Sequence, residues 1–279
     1  MNKVAFITGA SRGIGRATAL AFAQQGYDIV LSARTLAEGE KHEHALTTGD
    51  GLPLSGSLLE TAALVEKLGR RAWTIRMDLL DADSVLSAAA AAIEQAGRVD
   101  VLVNNAVYQG NDLNSSFMDL GPDTLERVYQ GYLLAPFLLS QRIASHMVAR
   151  GDGVIINITS GAGETDPPVA AGKGGWGYAY GAGKAAVSRL SGIITTELGD
   201  QGLRAYTVNP GVVTTEALKV TIGEKGVIAL RNGSAPPEVP AKVICWLACE
   251  DVEGLHQKRT INAQPFALNQ EIIADWRVK

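Results

Sequence analysis

The stretch Thr8-Gly9-Ala10-Ser11-Arg12-Gly13-Ile14-Gly15 follows a short apolar run, Val4–Thr8, and opens a helical pattern, Ile14–Gln25. A bounded apolar run of that length reads as a buried strand. Glycines between strand and helix permit a tight turn and a close backbone approach. The free N–H groups at the helix start then favour a pyrophosphate. The rest of the chain repeats the unit. Further strands are expected at Asp28–Ala33, Ala72–Met77, Val99–Asn104, Gly153–Thr159 and Arg204–Asn209. Helices are expected at Ser57–Leu68, Ser84–Ala96, Asp123–Ala149, Tyr180–Leu198 and Pro237–Cys249. Strands this rich in Val, Ile, Leu and Ala belong to a parallel sheet buried on both faces. Repeated strand–helix alternation implies right-handed crossovers and a doubly wound α/β fold. No Pro/Ser-rich linker interrupts the series, so residues 1–279 read as a single domain.

Three segments break the rhythm: an insertion at 35–56, a Gly/Pro-rich insertion at 161–177, and a loop at 212–234. Long loops inside a compact α/β domain are often functional. The last two leave from the carboxyl ends of strands, where such sheets bind ligands, and 212–234 reads as a substrate loop.

Composition excludes other classes. Lys+Arg number 25 and Asp+Glu 29, a net charge of −4, with 46% hydrophobic and 19% charged residues. That is too apolar for a disordered chain, and the absence of a Lys/Arg-rich run argues against a nucleic-acid footprint. No apolar run reaches the ~18 residues of a membrane span. The N-terminal apolar run is too short for a signal-peptide core, so a cytoplasmic protein is expected. The two cysteines, Cys245 and Cys249, cannot make a disulfide scaffold; their spacing puts them on one face of a helix, in the core. His42 and His44 fall in the first insertion with no acidic cluster or cysteine to complete a metal site, so they read as an exposed loop.

Two sets of residues carry chemistry. At the end of the second strand stands Arg34, where a ribose 2′-hydroxyl usually finds an acid, and Arg12 lies in the glycine loop. Two guanidinium groups suit a 2′-phosphate. This predicts NADP(H) over NAD(H). In Tyr180-Gly181-Ala182-Gly183-Lys184 the tyrosine and lysine are four apart and share a helical face. A phenol near pKa 10 is a poor base at neutral pH, and a neighbouring ammonium lowers that value. Such a pair can move a proton at a carbonyl or alcohol oxygen. Tyr178, six residues before Lys184, points to another face.

Taken together, Thr8–Gly15, Asp78-Leu79, Asn104-Asn105-Ala106, Ser160, Tyr180…Lys184 and Asn209-Pro210-Gly211 resemble the classical short-chain dehydrogenase/reductase family over nearly the whole chain. The resemblance implies a Rossmann-type fold with a seven-stranded parallel sheet and a homodimeric or homotetrameric assembly. It implies that Gly9, Ser11, Arg12, Gly13, Ile14 and Gly15 hold phosphate. Asp78 and Leu79 would contact adenine, and Asn105, Ala106 and Val107 the adenosine ribose side. Lys184 would hold the nicotinamide ribose, and Pro210, Gly211, Val213 and Thr215 the nicotinamide. Ser160 and Tyr180 would bind a carbonyl oxygen, with Tyr180 as general acid/base.

The chain departs from the family in places. Tyr132-Leu133-Leu134-Ala135-Pro136-Phe137 occupies the register of the family's Asn-Leu-x-Gly-Pro-Phe, so Tyr132 replaces a catalytic Asn, either supplying a hydroxyl or filling space. Val107 stands for a usual Gly and narrows the cofactor groove. Ser160 and Tyr180 are twenty apart, against about a dozen in the family. The apolar tail, with Phe266 and Trp276, is expected to pack on something, a subunit interface included. The expectation is an NADP(H)-dependent carbonyl reductase or alcohol dehydrogenase acting on a small molecule. A 3-oxoacyl-thioester reductase is the alternative, and it would need a positive entrance where only Lys173 stands. From another class, the rival is a catalytically weak NADP(H)-binding regulatory or structural protein.

Overall fold

The computed structural model describes residues 2–221 and 233–277. Its strands are β1 (Val4–Thr8), β2 (Asp28–Ala33), β3 (Ala72–Arg76), β4 (Val101–Asn104), β5 (Gly153–Ile158), β6 (Leu203–Asn209) and β7 (Thr260–Asn262). They form one seven-stranded sheet in the order β3-β2-β1-β4-β5-β6-β7, with every neighbouring pair parallel. The helices that flank it are α1 (Gly13–Gln24), α2 (Leu58–Lys67), α3 (Ala82–Ala96), α4 (Pro122–Val128), α5 (Ala135–Val148), α6 (Tyr178–Leu198), α7 (Glu238–Cys249) and α8 (Ala263–Asn269). Among the described residues, none is long and apolar enough to cross a membrane.

Strand alternation builds two cores. Ala5 and Ile7 of β1 face one cluster with residues of α1, α2 and α7, while Val4 and Phe6 face another with α3 and α5. The order reverses between β1 and β4, and the crevice at their carboxyl ends is the topological switch point of such a sheet. A polar seam crosses the second core. Asn104 Nδ2 donates to Ser140 Oγ and Asn157 Oδ1, both at 2.8 Å, and Asn157 Nδ2 donates to Ser191 Oγ at 2.8 Å. All four residues are buried, so these bonds satisfy groups that would otherwise be costly in the interior.

The continuous helix expected over Asp123–Ala149 is interrupted. A π-helical turn, Tyr129–Leu134, separates α4 from α5. Pro136 has no N–H to give the carbonyl four residues before it, which belongs to Tyr132, and a wider turn accommodates that loss. The apolar tail packs within the chain: Phe266 and Trp276 lie against the first core, and the Phe266 ring meets Trp246 at 5.4 Å. Cys245 is buried on α7, and Cys249 lies against the Tyr27 hydroxyl at 3.6 Å. Residues 222–232 of the expected substrate loop lie outside the described residues.

Candidate active site

The Thr8 hydroxyl ties the two central strand ends together. It donates to the Val103 carbonyl (3.2 Å) and accepts from the N–H groups of Asn105 (3.0 Å) and Ala106 (2.9 Å). Asn105 Nδ2 returns a bond to the Thr8 carbonyl at 2.9 Å, so this side chain shapes the glycine loop. Gly9 is left-handed, φ 67°. Gly15 lies so close beneath it that a Cβ would stand 2.1 Å from the Gly9 carbonyl oxygen. No side chain caps α1, and no acid stands in its first turn. The first N–H groups of that helix are therefore left for a phosphate, and the loop fits a dinucleotide pyrophosphate.

Asp78 makes a local turn, accepting from the Leu80 N–H at 3.0 Å. Leu79 rests on the second core. Val107 packs against a small third cluster containing Tyr108, Val128 and Tyr132. Beyond β6, Gly211 is left-handed at φ 72°. The Pro210 and Val212 carbonyls accept from Gln264 Nε2 at 3.2 and 2.8 Å. Gln264 thus holds the segment assigned to the nicotinamide, and no sequence motif marks it. Val213 is buried beside Ala235, and Thr215 Oγ1 accepts from the Leu218 N–H at 3.2 Å as a helix cap.

Ser160 ends the loop after β5, and its Oγ accepts from the Ala162 N–H at 3.3 Å. Tyr180 and Lys184 share one face in the first two turns of α6. Lys184 is 4% exposed, and its Nζ donates to the Ile158 carbonyl at 2.9 Å. The ammonium sits 6.0 Å from the Tyr180 ring centroid and 5.6 Å from that of Tyr132. Burial pushes Lys184 down to about 7. Burial also pushes the Tyr180 phenol up, while the Ser160 hydroxyl draws it back. The ammonium-depressed phenol expected from the spacing is thus outweighed by desolvation in the protein alone. Tyr178, the other tyrosine of this segment, is 61% exposed.

Tyr132 is 1% exposed, and its hydroxyl donates to the Tyr108 carbonyl at 3.0 Å. Its ring, not its hydroxyl, faces Lys184, and it meets Tyr180 edge-on at 6.4 Å. Gly183 makes room for it: a Cβ there would stand 2.7 Å from the Tyr132 ring. Behind it, burial pushes Asp112 up, but bonds from Thr124, Tyr108 and Arg127 outweigh this and hold the carboxyl down to about 2. That network ties residues 108–112 to α4. The insertion 161–177 meets the same region, where the Gly177 N–H donates to Asn114 Oδ1 at 3.2 Å.

The first insertion is more ordered than an exposed loop. His44 is exposed, but the His42 side chain is only 19% exposed. Burial pushes its imidazole down, with Arg34 adding to the effect. Arg12 donates to the carbonyls of Ser55, Leu54 and Gly56 at 2.7, 3.0 and 2.9 Å. Arg34 donates to the Glu43 carbonyl at 3.0 Å.

Comparison with known proteins agrees with this frame. The short chain dehydrogenase family matches residues 3–51 and 54–225, and the chain belongs to that family. It is 32% identical over 256 residues to the uncharacterized oxidoreductase YohF of Escherichia coli strain K12, covering 90% of each chain. A solved 7α-hydroxysteroid dehydrogenase complexed with NADH and 7-oxo glycochenodeoxycholic acid is similar at 27% identity. Its TM-score is 0.74, over 93% of this chain and 92% of that one. A metagenomic short-chain oxidoreductase in complex with NADP is similar at 27% identity and a TM-score of 0.69, over 93% and 96%. The protein is thus an oxidoreductase of a family that uses nicotinamide cofactors.

Proposed function

We propose that the protein is an NADP(H)-dependent carbonyl reductase or alcohol dehydrogenase with Tyr180 as its general acid/base. The observation that carries this reading is the convergence of Ser160, Tyr180 and Lys184 at the carboxyl end of β5, on the same sheet edge as the β1 glycine loop and two strands from it. A bound nicotinamide supplies or accepts the hydride. Ser160 and Tyr180 hydrogen-bond the carbonyl oxygen, where negative charge develops. Tyr180 then gives its proton to that oxygen, and in the reverse direction its phenolate takes the alcohol proton. Lys184 holds the nicotinamide ribose, and in its charged form it favours the phenolate. Tyr132 acts through packing, as a ring wedged between Gly183 and the lysine. The absence of an acid at Ala33-Arg34 favours NADP(H) over NAD(H). The intact Ser160, Tyr180 and Lys184 set favours an enzyme over a pure cofactor-binding protein, which has no use for a proton donor.

The test is turnover of a carbonyl and alcohol panel with each cofactor, read by nicotinamide absorbance. Tight NADPH binding with no turnover of any substrate would favour the binder. The site also fixes a pH signature. Alcohol oxidation needs the Tyr180 phenolate, so its rate is expected to climb with pH through the alkaline range. Carbonyl reduction needs the phenol, so its rate should stay level near neutrality and decline only above the phenol's raised pKa. Profiles with the opposite slopes would remove Tyr180 from the acid/base role.

A stability test bears on Lys184. Its folded pKa of about 7 lies below the ~10.4 of an unfolded lysine. Between those values the unfolded chain binds the extra proton, so the group's contribution to stability rises with pH from 7 towards 10 and is lost as pH falls through 7. The melting temperature of the wild type should therefore gain on that of Lys184→Met between pH 7 and 9.5. Parallel curves would mean that the buried amine is not depressed.

A homo-oligomer also belongs to this reading. Tyr129, Leu133 and Phe137 follow one another at four-residue spacing and are 52%, 44% and 45% exposed, and Ile193 of α6 is 55% exposed. Contiguous exposed apolar groups mark association sites.

A further inference from the structure

The segment between β2 and α2 crosses the carboxyl edge of the sheet and is pinned at each strand it passes. Beside β3, Arg76 grips Glu40 with both ends of its fork, at 2.8 and 2.9 Å. That grip holds the Glu40 carboxyl down to about 2. At the end of β2, Arg34 holds the Glu43 carbonyl. Past the end of β4, the Leu46 N–H donates to the Gln109 carbonyl at 2.9 Å. The return stretch 54–56 lies on the glycine loop, where Gly56 approaches so near that a Cβ would stand 2.6 Å from the Ser11 carbonyl oxygen. Glu38 accepts from the Gly56 N–H at 2.8 Å and closes the segment on itself. His42, midway along, lies within the electrostatic reach of Arg34 and Asp78.

The two arginines therefore do different work. A guanidinium offers two bidentate edges, Nε with Nη2 and Nη1 with Nη2, either of which matches two phosphate oxygens, and Nη2 belongs to both. Arg12 has spent Nε and Nη2 on three backbone carbonyls of 54–56, which takes up both edges. Arg34 uses only Nη1 among the described residues, so its Nε/Nη2 edge remains for a ligand.

We propose that residues 38–56 form a strap over the adenosine end of the cofactor groove, that Arg12 is its anchor, and that Arg34 alone reads the 2′-phosphate. The proposal rests on the nicotinamide-cofactor reading of the site, and its strap half is independent of which cofactor is preferred. A cofactor lying under the strap is held by it whether or not it carries a 2′-phosphate. Loss of the anchor therefore weakens NADH and NADPH equally, whereas loss of Arg34 weakens NADPH selectively.

The experiment measures dissociation constants for NADPH, NADH and 2′,5′-ADP on the wild type, Arg12→Ala, Arg12→Lys and Arg34→Ala. It also follows the rate of tryptic cleavage after the exposed Lys41. Arg12→Ala and Arg12→Lys are expected to weaken both dinucleotides by a common factor, about tenfold, or ~1.4 kcal/mol. A lysine keeps the charge but cannot span three carbonyls. Arg34→Ala is expected to weaken NADPH and 2′,5′-ADP by about tenfold or more and to leave NADH within about twofold. Either dinucleotide should slow cleavage after Lys41 in the wild type and do so less in Arg12→Ala. Selective loss of NADPH in Arg12→Ala, restored in Arg12→Lys, would make Arg12 a phosphate ligand and overturn the anchor. Cleavage after Lys41 indifferent to cofactor would overturn the strap. A wild type that prefers NADH would defeat the NADP(H) reading and the role of Arg34, while equal losses in Arg12→Ala would still support the strap.

Discussion

Tyr180→Phe is expected to lower turnover by about three orders of magnitude, the middle of the range for loss of a general acid/base group, while the dissociation constant for NADPH stays within a few-fold of the wild type. The change removes one oxygen and keeps the ring. The edge-on contact with Tyr132 at 6.4 Å and the packing beside Lys184 therefore persist. What is lost is the proton that the proposed mechanism delivers to the substrate oxygen. Fluorescence titration with NADPH and steady-state rates on one preparation separate the two effects. Turnover equal to the wild type would mean that another group carries the proton; loss of cofactor binding would mean that the hydroxyl's role lies in the cofactor site.

Gly15→Ala should be nearly as severe, by a different route. The added methyl would stand 2.1 Å from the Gly9 carbonyl oxygen and 2.7 Å from Asn105 Nδ2. Neither neighbour is the loose end of a flexible chain: one is backbone, and the other is fixed by its bonds to the Thr8 and Gly9 carbonyls. The start of α1 must move away, and the N–H groups at that end lose their aim. Forced packing of this kind costs roughly 1–3 kcal/mol, so a lower melting temperature is expected. Cofactor affinity should fall by about a hundredfold, ~2.7 kcal/mol, because phosphate recognition rests on that alignment. Calorimetric titration with NADPH checks it, and an unchanged affinity would show that the phosphates lie elsewhere.

The sequence signals for these two candidate sites are local. A glycine cluster between a strand and a helix, and a tyrosine and lysine four apart, are short-range patterns with a direct geometric consequence. Six strands of the sheet were legible for the same reason, through buried runs that alternate with helical ones, and the seventh only through the family resemblance, near Arg259–Ala263. What escaped was set by contacts distant in the chain. The bonds from Arg12 to the carbonyls of 54–56 could not be read, because backbone partners leave no trace in residue type. His42 reads as exposed because Arg34, Arg76 and Asp78 come to it only through the fold. Gln264 carries no motif, since it holds carbonyls fifty residues away. The π-helical turn at Tyr129–Leu134 needed both Pro136 and the packing of Tyr132 under Gly183. Phe266 and Trp276, an apolar tail in search of a partner, find it in their own chain.

The central claim is that Tyr180, Ser160 and Lys184 serve hydride transfer between a nicotinamide and a carbonyl. The direct measurement uses NADPH carrying deuterium at the transferable C4 position. A carbonyl that the panel shows to be reduced is incubated with it, and the alcohol product is analysed by mass spectrometry. The account predicts one deuterium on the carbinol carbon with the wild type and almost no product with Tyr180→Phe. Binding of NADPH with no deuterium delivered to any carbonyl, or equal delivery by Tyr180→Phe, would contradict it.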